Sequence, residues 1–361
     1  MTQFGRVSLS KDLPWIKHHK DGLAISPLVQ SWYTEFCAEL VPEKACTLLN
    51  LTLGPGNLTD DSQAYRLIQE YGRCEQVKEE LEKSLELDEY RGDLPAPQKK
   101  GKGEVIYMMF DGGLFPYDDG YREAKIGRVF LGSQIEEVSG KAQSSDNEKL
   151  TTRRRVLNSE YVLCEGHYQR FVESFGRLVQ DYVRKYPRAK LVVLKDGAEW
   201  MENYVSKQFP QATSILDFYH AYEYLCEFAV QVFKDEQARE SQLELWKSQL
   251  RNGQVEELIK ELETYRRDER SAVCQGVETV LTYYTKRRNQ MRYKAFREQG
   301  LLIGSGAIES AVKCVAQQRC KLSGQRWGNG LQPVFNLRAI YKSGKGKRME
   351  RIILSRFQKV A

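Results

Sequence analysis

Two Asp-Gly pairs, each at the end of an apolar run, constrain the fold of this chain most. Asp111 follows "EVIYMMF" and Asp196 follows "KLVVLK". Both runs are typical of buried β-strands, and open α/β sheets present their ligand-binding groups at such strand ends. The glycine beside each aspartate lets a phosphate or a metal ion approach the backbone closely. Either pair alone can also be an ordinary turn, but the recurrence favours a site.

The segments around these pairs predict an α/β layer. Strand candidates are "AKIGRVFLGSQIEE", "RVLNSEYVLCEG" and the start of "TSILDFYHAYEYL", while "HYQRFVESFGRLVQDYVRKYP" is helical and closes at Pro187. Residues 224–298 carry apolar residues at helical spacing, for example Val255, Leu258 and Leu262. Strands that alternate with helices favour an α/β layer, here with a helical block inside it, over a barrel or a bundle.

The amino-terminal part predicts three short helices between residues 26 and 71. Ser26 and Thr59 are helix caps, Pro27 and Pro42 occupy first turns, and "GPGN" is a turn signal. This pattern favours a helix-turn-helix that binds DNA. A simple packing unit is the alternative, because Asp60 and Asp61 would place negative charge at the start of the recognition helix. A further predicted helix, "CEQVKEELEKSLELDEY", leads into a linker rich in Pro, Gly and Lys at residues 91–103.

Composition excludes several classes of protein. The longest apolar runs, such as "LVVL", are far shorter than the roughly 18 residues of a membrane span. The amino terminus lacks the apolar core of a signal peptide, so we expect an intracellular protein. The eight cysteines form no CxxC pair and have no histidine at zinc-site spacing, which predicts scattered reduced thiols. A net charge of +6 permits nucleic-acid binding without requiring it.

A third acidic candidate lies in "LLIGSGAIESAVK". Glu309 falls in the first turn of the helix that "GSGAI" begins. The segment lacks the third glycine of a dinucleotide fingerprint and the GK[ST] of a P-loop, so a nucleotide loop is excluded. A surface ion pair between Glu309 and Lys313 is the remaining alternative.

Basic residues follow Glu309 along the chain. Lys313, Arg319, Lys321 and Arg326 could contact the DNA backbone from this helix and its exit. Arg338 and the tail after residue 340 add positive charge, for which a solvated basic tail is the alternative interpretation. Trp327 could stack on an exposed base, but we expect it to pack against the core.

Three carboxylates at one site would repel each other unless a cation compensated them. Oxygen-rich sites suit Mg²⁺ or Mn²⁺. Two such ions, about 3.5–4 Å apart, can activate water or a 3′-hydroxyl and stabilise the leaving oxygen of a phosphodiester. The pattern therefore favours phosphodiester chemistry.

Taken together, the motifs resemble those of bacterial insertion-sequence transposases of the DDE type, and most closely their ISKra-type group. The matching segments are "MMFDGG" with "REAKIGRVF", "LKDGAEW", "ILDFYHAYEYL", and "IGSGAIESAVK" with "QRCKLSGQRWG". The similarity extends over residues 26–340. It implies an α/β fold with an RNase H-like mixed-sheet core, interrupted by an all-helical insertion and preceded by a helical, helix-turn-helix-like domain.

This resemblance also implies a function. Asp111, Asp196 and Glu309 would be the catalytic, metal-binding triad, with two Mg²⁺ (or Mn²⁺) ions, and would cleave and transfer DNA strands at insertion-sequence ends. The implied partners are double-stranded DNA, both terminal repeats and target, and further copies of the chain on that DNA, in the cytoplasm at the nucleoid. His220 is a candidate for proton shuttling or substrate positioning, with a hydrogen-bonded structural histidine as the alternative.

The predicted organisation has six parts. They are a helical domain at 1–90, a linker at 91–103, the first part of the catalytic core at 104–223, the helical insertion at 224–298, the carboxyl-terminal core helix at 299–340 and a basic tail at 341–361. Two other functions are open: a catalytically inactive DNA-binding derivative, and an RNase H-like nuclease without strand transfer.

Overall fold

The computed structural model describes residues 26–53, 61–73, 103–141, 150–166, 168–268 and 270–358, without the side chains of 139–141, 150–153 and 355–358. The predicted "GPGN" turn, the helix predicted after residue 73 and nearly all of the predicted linker lie outside these residues. None of the helices in the described ranges combines the length and the apolarity needed to cross a bilayer.

The strands form one mixed sheet and one separate ribbon. The sheet has the order β5-β2-β1-β6-β7, and β3 pairs with β4 apart from it. In the sheet, β2 is antiparallel to β1 and β5, whereas β1, β6 and β7 are parallel. The bounds are β1 Val105–Tyr117, β2 Gly120–Leu131, β3 Ile135–Lys141, β4 Leu150–Val156, β5 Glu160–Glu165, β6 Lys190–Lys195 and β7 Thr213–Leu216.

Helices surround this sheet. Before it are α1 Pro27–Glu39, α2 Pro42–Leu53 and α3 Asp61–Gly72; within and after it are α4 Tyr168–Lys185, α5 Glu199–Gln208, α6 Phe218–Val232, α7 Glu236–Arg251, α8 Val255–Glu263, α9 Ser271–Arg287, α10 Tyr293–Glu298, α11 Gly306–Ala311, α12 Leu331–Lys342 and α13 Gly346–Gln358. Between α11 and α12, the helix that α11 begins continues as a π-helical segment, Val312–Gln317, and ends with one α-helical turn, Gln318–Cys320.

Both faces of the sheet are buried, which explains why β1 and β6 are almost continuously apolar. In β1, Met108 and Phe110 belong to one hydrophobic cluster, with α4 and α5. Tyr107 and Met109 point to the opposite face and belong to the larger cluster, to which α1–α3 and the helices after β7 contribute. The mixed α/β fold predicted from the sequence is therefore confirmed at that level.

The amino-terminal helices share the larger cluster with the sheet. Gly72 at the end of α3 lies so close to Pro333 of α12 that a Cβ would contact its backbone at 2.5 Å. Asn336 Nδ2 donates to the Gly72 carbonyl at 2.6 Å. The described part of the predicted domain 1–90 thus has no core separate from that of the sheet.

Two buried arginines fasten α1 to the carboxyl-terminal half. Arg338 donates from Nη1 to the Ala38 carbonyl, and Arg319 Nε donates to the Leu40 carbonyl at 2.9 Å. The last carbonyls of a helix have no partner within the helix, so these guanidinium groups satisfy them.

Three predicted boundaries differ from the structure. Asp111 does not end β1, which continues to Tyr117 because β2 pairs with it along its whole length. The border between residues 223 and 224 falls inside α6, since an Asp217 cap starts that helix earlier. Residues 346–358 of the predicted basic tail form α13, which buries Met349 and Ile353 beside α1.

Candidate active site

The parallel pairing of β1 and β6 places Asp111 beside Asp196. The last paired residues are Met109 and Leu194, and each aspartate lies two positions beyond them. Asp111 Oδ1 accepts a hydrogen bond from the Gly112 amide at 2.7 Å, and Asp196 Oδ1 accepts one from the Ala198 amide at 2.8 Å. Both side chains are half-buried. Although Asp111 is within a longer strand, the aspartates occupy the same edge of the parallel pair.

The other two predicted acidic residues are among the groups that shift the pKa of Asp111. Burial is the main cause that raises the pKa of Asp111, and the charges of Asp196 and Glu309 raise it further. The Gly112 amide and His220 act in the opposite direction and lower this pKa. All three predicted carboxylates and the predicted histidine therefore act on one point of the sheet edge.

Glu309 lies on α11, at the exposed side of this edge. The helix is held against β2 by Arg128, whose Nη1 donates to the Ala307 carbonyl. The hydroxyl of Ser305 contacts Glu309 Oε1 as a hydrogen-bond donor. No salt bridge to Lys313 occurs within the described residues, so the surface-pair alternative has no support in the structure.

Ser305 connects Glu309 to Asp217, a buried carboxylate that the sequence analysis did not single out. The Ser305 amide donates to Asp217 Oδ1 at 2.9 Å, and the Ser305 hydroxyl lies 3.0 Å from Oδ2. Because a hydroxyl carries one hydrogen, Ser305 donates to only one of the two carboxylates at a time. Ser305 therefore couples the conformation of Glu309 to that of the Asp217 side chain.

Asp217 is also the amino-terminal cap of α6. Its carboxylate accepts from the amides of Tyr219 at 3.3 Å and His220 at 3.2 Å. The side chain is fully buried, and burial raises its pKa although bonds from Ser305 and His220 lower it. An Asp between an apolar strand and a helix, as in "ILDFYHA", is a cap signal, and this signal could have found the residue.

His220 is half-exposed at the start of α6. Its Nδ1 lies 3.0 Å from Glu223 Oε2, and 41% of its side chain is exposed. The histidine thus has a partner on its own helix and also acts on Asp111. Its role in proton transfer or positioning stays a prediction.

The loop after β6 is fixed by the helical block. Tyr283 on α9 donates its hydroxyl to the Asp196 carbonyl at 2.7 Å, and Arg287 Nη2 donates to the Gly197 carbonyl at 2.6 Å. Gly197 has φ +86°, and an added Cβ would lie 2.7 Å from Arg287 Nε and 2.8 Å from Leu216 Cδ1. The position therefore requires glycine, and Tyr283 and Arg287 belong to the support of the site.

A buried charge cluster extends this support behind Asp196. Lys195 Nζ contacts Glu202 Oε1 at 2.6 Å and Gln290 Oε1 at 2.8 Å, with its side chain fully buried. Burial lowers the pKa of Lys195, while Glu202 raises it. Arg287 Nε is 3.6 Å from the same Glu202 oxygen. The Asp196 loop, α5 and the helical block are thus joined by one network.

The predicted basic residues divide into two groups. Lys313, Lys321 and Arg326 are exposed and can meet a DNA backbone from solution. Arg319 is only 2% exposed, and Arg338 only 1%. The expectation that both arginines add to an exposed basic surface is therefore wrong. Whether Arg319 contacts DNA from its buried position stays a prediction.

Trp327 packs into the structure, as predicted. It is 9% exposed, and its Nε1 donates to the Cys320 carbonyl at 2.8 Å. Its amide donates to the Pro116 carbonyl at 3.0 Å, and its carbonyl accepts from the Asp118 amide at 3.2 Å. The loop 321–330 is therefore attached to the turn between β1 and β2.

The carboxylates suit a hard cation in chemistry, but they do not form a ready coordination set. Each of the three carboxylates has one oxygen that accepts no hydrogen bond from the described residues, namely Asp111 Oδ2, Asp196 Oδ2 and Glu309 Oε2. Mg²⁺ prefers such ligands. Among the same residues, no group of three acidic, histidine or cysteine side chains is close enough to hold a metal ion as it stands. Glu309 would have to turn away from Ser305 to join the aspartates.

Comparisons with known proteins identify no relative from which a function could be taken. No protein-family model matches the chain, and a comparison with curated proteins found no significant match.

Proposed function

We propose that this chain is a transposase that cleaves and transfers DNA strands at insertion-sequence ends with the help of metal ions. One observation carries the proposal: Asp196 and Glu309, from separate parts of the chain, both act on Asp111 at the end of the parallel β1–β6 pair. Two isolated Asp-Gly turns would not explain why Asp111 and Asp196 occupy the same edge of a parallel pair, or why the charge of Glu309 raises the pKa of Asp111. Carboxylates of this kind are the ligands that hard cations prefer.

The topology supports an RNase H-like core. Three antiparallel strands, β5, β2 and β1, continue into the parallel strands β6 and β7, and the helix with the last carboxylate follows a helical block. This order and the helical interruption are what the resemblance to DDE transposases implies for the chain.

Asp111, Asp196 and Glu309 would hold the metal ions. When bound, Mg²⁺ or Mn²⁺ supplies activation of water or a 3′-hydroxyl and stabilisation of the leaving oxygen. The protein's own contribution is positioning: β1 and β6 set the aspartates side by side, and the Asp217–Ser305 contacts set the start of α11. His220 is the candidate for taking up or delivering a proton, because it is near enough to Asp111 to lower the pKa of that carboxyl.

The exposed cations give this site its DNA contact. Lys313 is one turn beyond Glu309, and Lys321 and Arg326 lie in the loop that is bonded to the β1–β2 turn. Each cation that neutralises a phosphate releases counterions, so DNA affinity should fall as salt rises.

The test is an Asp196→Asn variant on DNA that carries the sequences flanking this coding region. We expect Mg²⁺-dependent strand cleavage to be lost while DNA affinity is retained, because only one carboxylate charge is removed. Asp181→Asn, an exposed carboxylate on α4, is the matched control and should cleave normally. Full cleavage by Asp196→Asn would refute the proposal.

The products separate the alternatives. Joined element and target DNA supports a transposase, whereas cleavage without joining identifies a nuclease. Salt-sensitive binding with no cleavage by the wild-type chain, in either Mg²⁺ or Mn²⁺, identifies a DNA-binding derivative.

A further inference from the structure

A cleft of about 590 Å³ opens between the amino-terminal helices and the loop after Cys320. One wall comes from α2 and α3, the other from residues 322–328, and Arg319 is among the lining residues. This volume is within the range of small-ligand sites. It suits one nucleotide and is too small for a duplex.

Arg319 is a buried cation without a matching anion among the residues that the structure describes. Within them, its Nη1 has no hydrogen-bond partner, and its Nε donates to the Leu40 carbonyl. Burial lowers the pKa of Arg319, and the described groups that also act on it are two thiols, Arg338 and Tyr65, with no carboxylate among them. Burying a guanidinium is costly unless it is paired and hydrogen-bonded, so this arrangement leaves a requirement for an anion.

Arg338 shows that this is not a general property of buried arginines in the chain. Its Nε and Nη2 donate to the carbonyls of Val315 and Cys314, and its Nη1 donates to Ala38 and lies 3.4 Å from the Glu39 carboxylate. Arg338 is satisfied by the protein alone. Arg319 is buried to a similar degree and lines the cleft, and its Nη1 has no hydrogen-bond partner among the described residues.

The rest of the lining fits a nucleotide. The exposed guanidinium of Arg326 adds a second cation, and the ring of Tyr65, 56% exposed, offers a face on which a base can stack. Among the described lining residues, Glu43 supplies a carboxylate. Its position on α2 is compatible with an amino group on a base edge, since carboxylates accept hydrogen bonds from such groups.

We infer that this cleft binds one unpaired nucleotide of a DNA strand, with its phosphate on Arg319 and Arg326 and its base against Tyr65. The inference rests on the proposed function for its choice of DNA. The cleft is a second site in addition to Asp111, Asp196 and Glu309, and α3 forms part of its wall.

The experiment measures DNA affinity by fluorescence anisotropy in EDTA, so that cleavage does not contribute. Two labelled DNAs are compared, a blunt duplex and the same duplex with a short 3′ overhang, each over a series of salt concentrations. Wild-type chain should bind the overhang about tenfold more tightly, because stacking of one base on an aromatic ring has an effect of this order.

Three cleft variants and one control are needed. Tyr65→Ala should lose the preference for the overhang, and Arg326→Gln and Arg319→Gln should each reduce the salt dependence of overhang binding by about 0.7 of a unit slope. Arg184→Gln, an exposed arginine on α4, removes the same charge and should leave the preference intact. If Arg319→Gln fails to fold, Tyr65→Ala and Arg326→Gln decide.

Two results would overturn the inference. One is equal affinity of the wild type for blunt and overhang DNA. The other is an unchanged preference for the overhang in both Tyr65→Ala and Arg326→Gln. Inorganic phosphate and a free deoxynucleotide are tested by thermal shift: if either stabilises wild type but not Arg319→Gln while DNA binding is the same in both, the ligand is a free anion and not a DNA strand. A chain that shows the overhang preference but never cleaves keeps this inference and loses the proposed function.

Discussion

Replacement of Gly197 by alanine tests the support of the Asp196 loop. Gly197 has φ +86°, and alanine in this left-handed region costs about 1–2 kcal/mol. The new Cβ would also approach Arg287 Nε at 2.7 Å and Leu216 Cδ1 at 2.8 Å. Arg287 cannot simply move away, because its Nη2 is bonded to the Gly197 carbonyl. Overpacking of this kind adds about 1–3 kcal/mol, so we expect a loss of about 2–5 kcal/mol in the free energy of unfolding.

Gly166→Ala separates the two contributions. Gly166 has φ +76°, but none of the described residues lies within 4 Å of an added Cβ. It should therefore show only the backbone cost, about 1–2 kcal/mol. Urea unfolding of both variants and the wild type gives the two losses of stability. If Gly197→Ala and Gly166→Ala differ by less than about 0.5 kcal/mol, the contacts of Arg287 and Leu216 do not constrain the loop as argued.

Three further predictions concern other parts of the molecule. Under the proposed function, Ser305→Ala frees Glu309, so the Mg²⁺ concentration for half-maximal cleavage should fall about fivefold, as expected for loss of one competing hydrogen bond. An unchanged Mg²⁺ dependence of cleavage would show that Ser305 does not hold Glu309. Arg338→Met removes the guanidinium bonds to the carbonyls of Ala38, Cys314 and Val315 and should cost about 2–4 kcal/mol of stability in urea unfolding. A loss below about 1 kcal/mol would show that these bonds do not hold α1. Burial raises the pKa of the Cys37 thiol to about 12, so at pH 8 iodoacetamide should modify the exposed Cys314 and not Cys37, as read by mass spectrometry of peptides. Rapid labelling of Cys37 in the folded chain would contradict its burial. Because the unfolded thiol ionises at lower pH than the folded one, the stability that Cys37 contributes is present below pH 9.0 and is lost as pH rises towards its folded pKa.

Sequence patterns were sufficient to find the acidic edge of the sheet. The apolar runs before Asp111 and Asp196 predicted buried strands, and the structure places both residues beyond the last parallel pair. The continuation of β1 to Tyr117 depends on pairing with β2 and not on the local run, so the strand end was placed too early.

The burial of Arg319 has a signal in the sequence. Val312, Val315, Ala316 and Arg319 follow helical spacing, and all of them are buried. A residue on the apolar face of a helix is expected to be covered even when it is charged. Charge alone had suggested a surface contact.

The support of Asp196 could not be predicted from the sequence. Tyr283 and Arg287 lie on the helical block, far along the chain from the Asp-Gly pair they contact. Nothing local to α9 distinguishes them from other polar residues on an amphipathic helix. Such contacts depend on the tertiary arrangement, which helical periodicity does not specify.

If the chain has the proposed function, the shared core of α1–α3 and the sheet has a consequence for where it cuts DNA. Because Arg319 and Arg338 bond the end of α1 to the segment that follows Glu309, and Gly72 packs directly on Pro333, α3 cannot swing independently of the acidic edge. Under the proposed function, the distance from α3 to the acidic edge is then fixed. A sequence recognised through α3 would therefore lie at a constant number of base pairs from the phosphodiester that is cut. The position of the cut would thus be set by the packing of the protein and not by the length of a flexible tether.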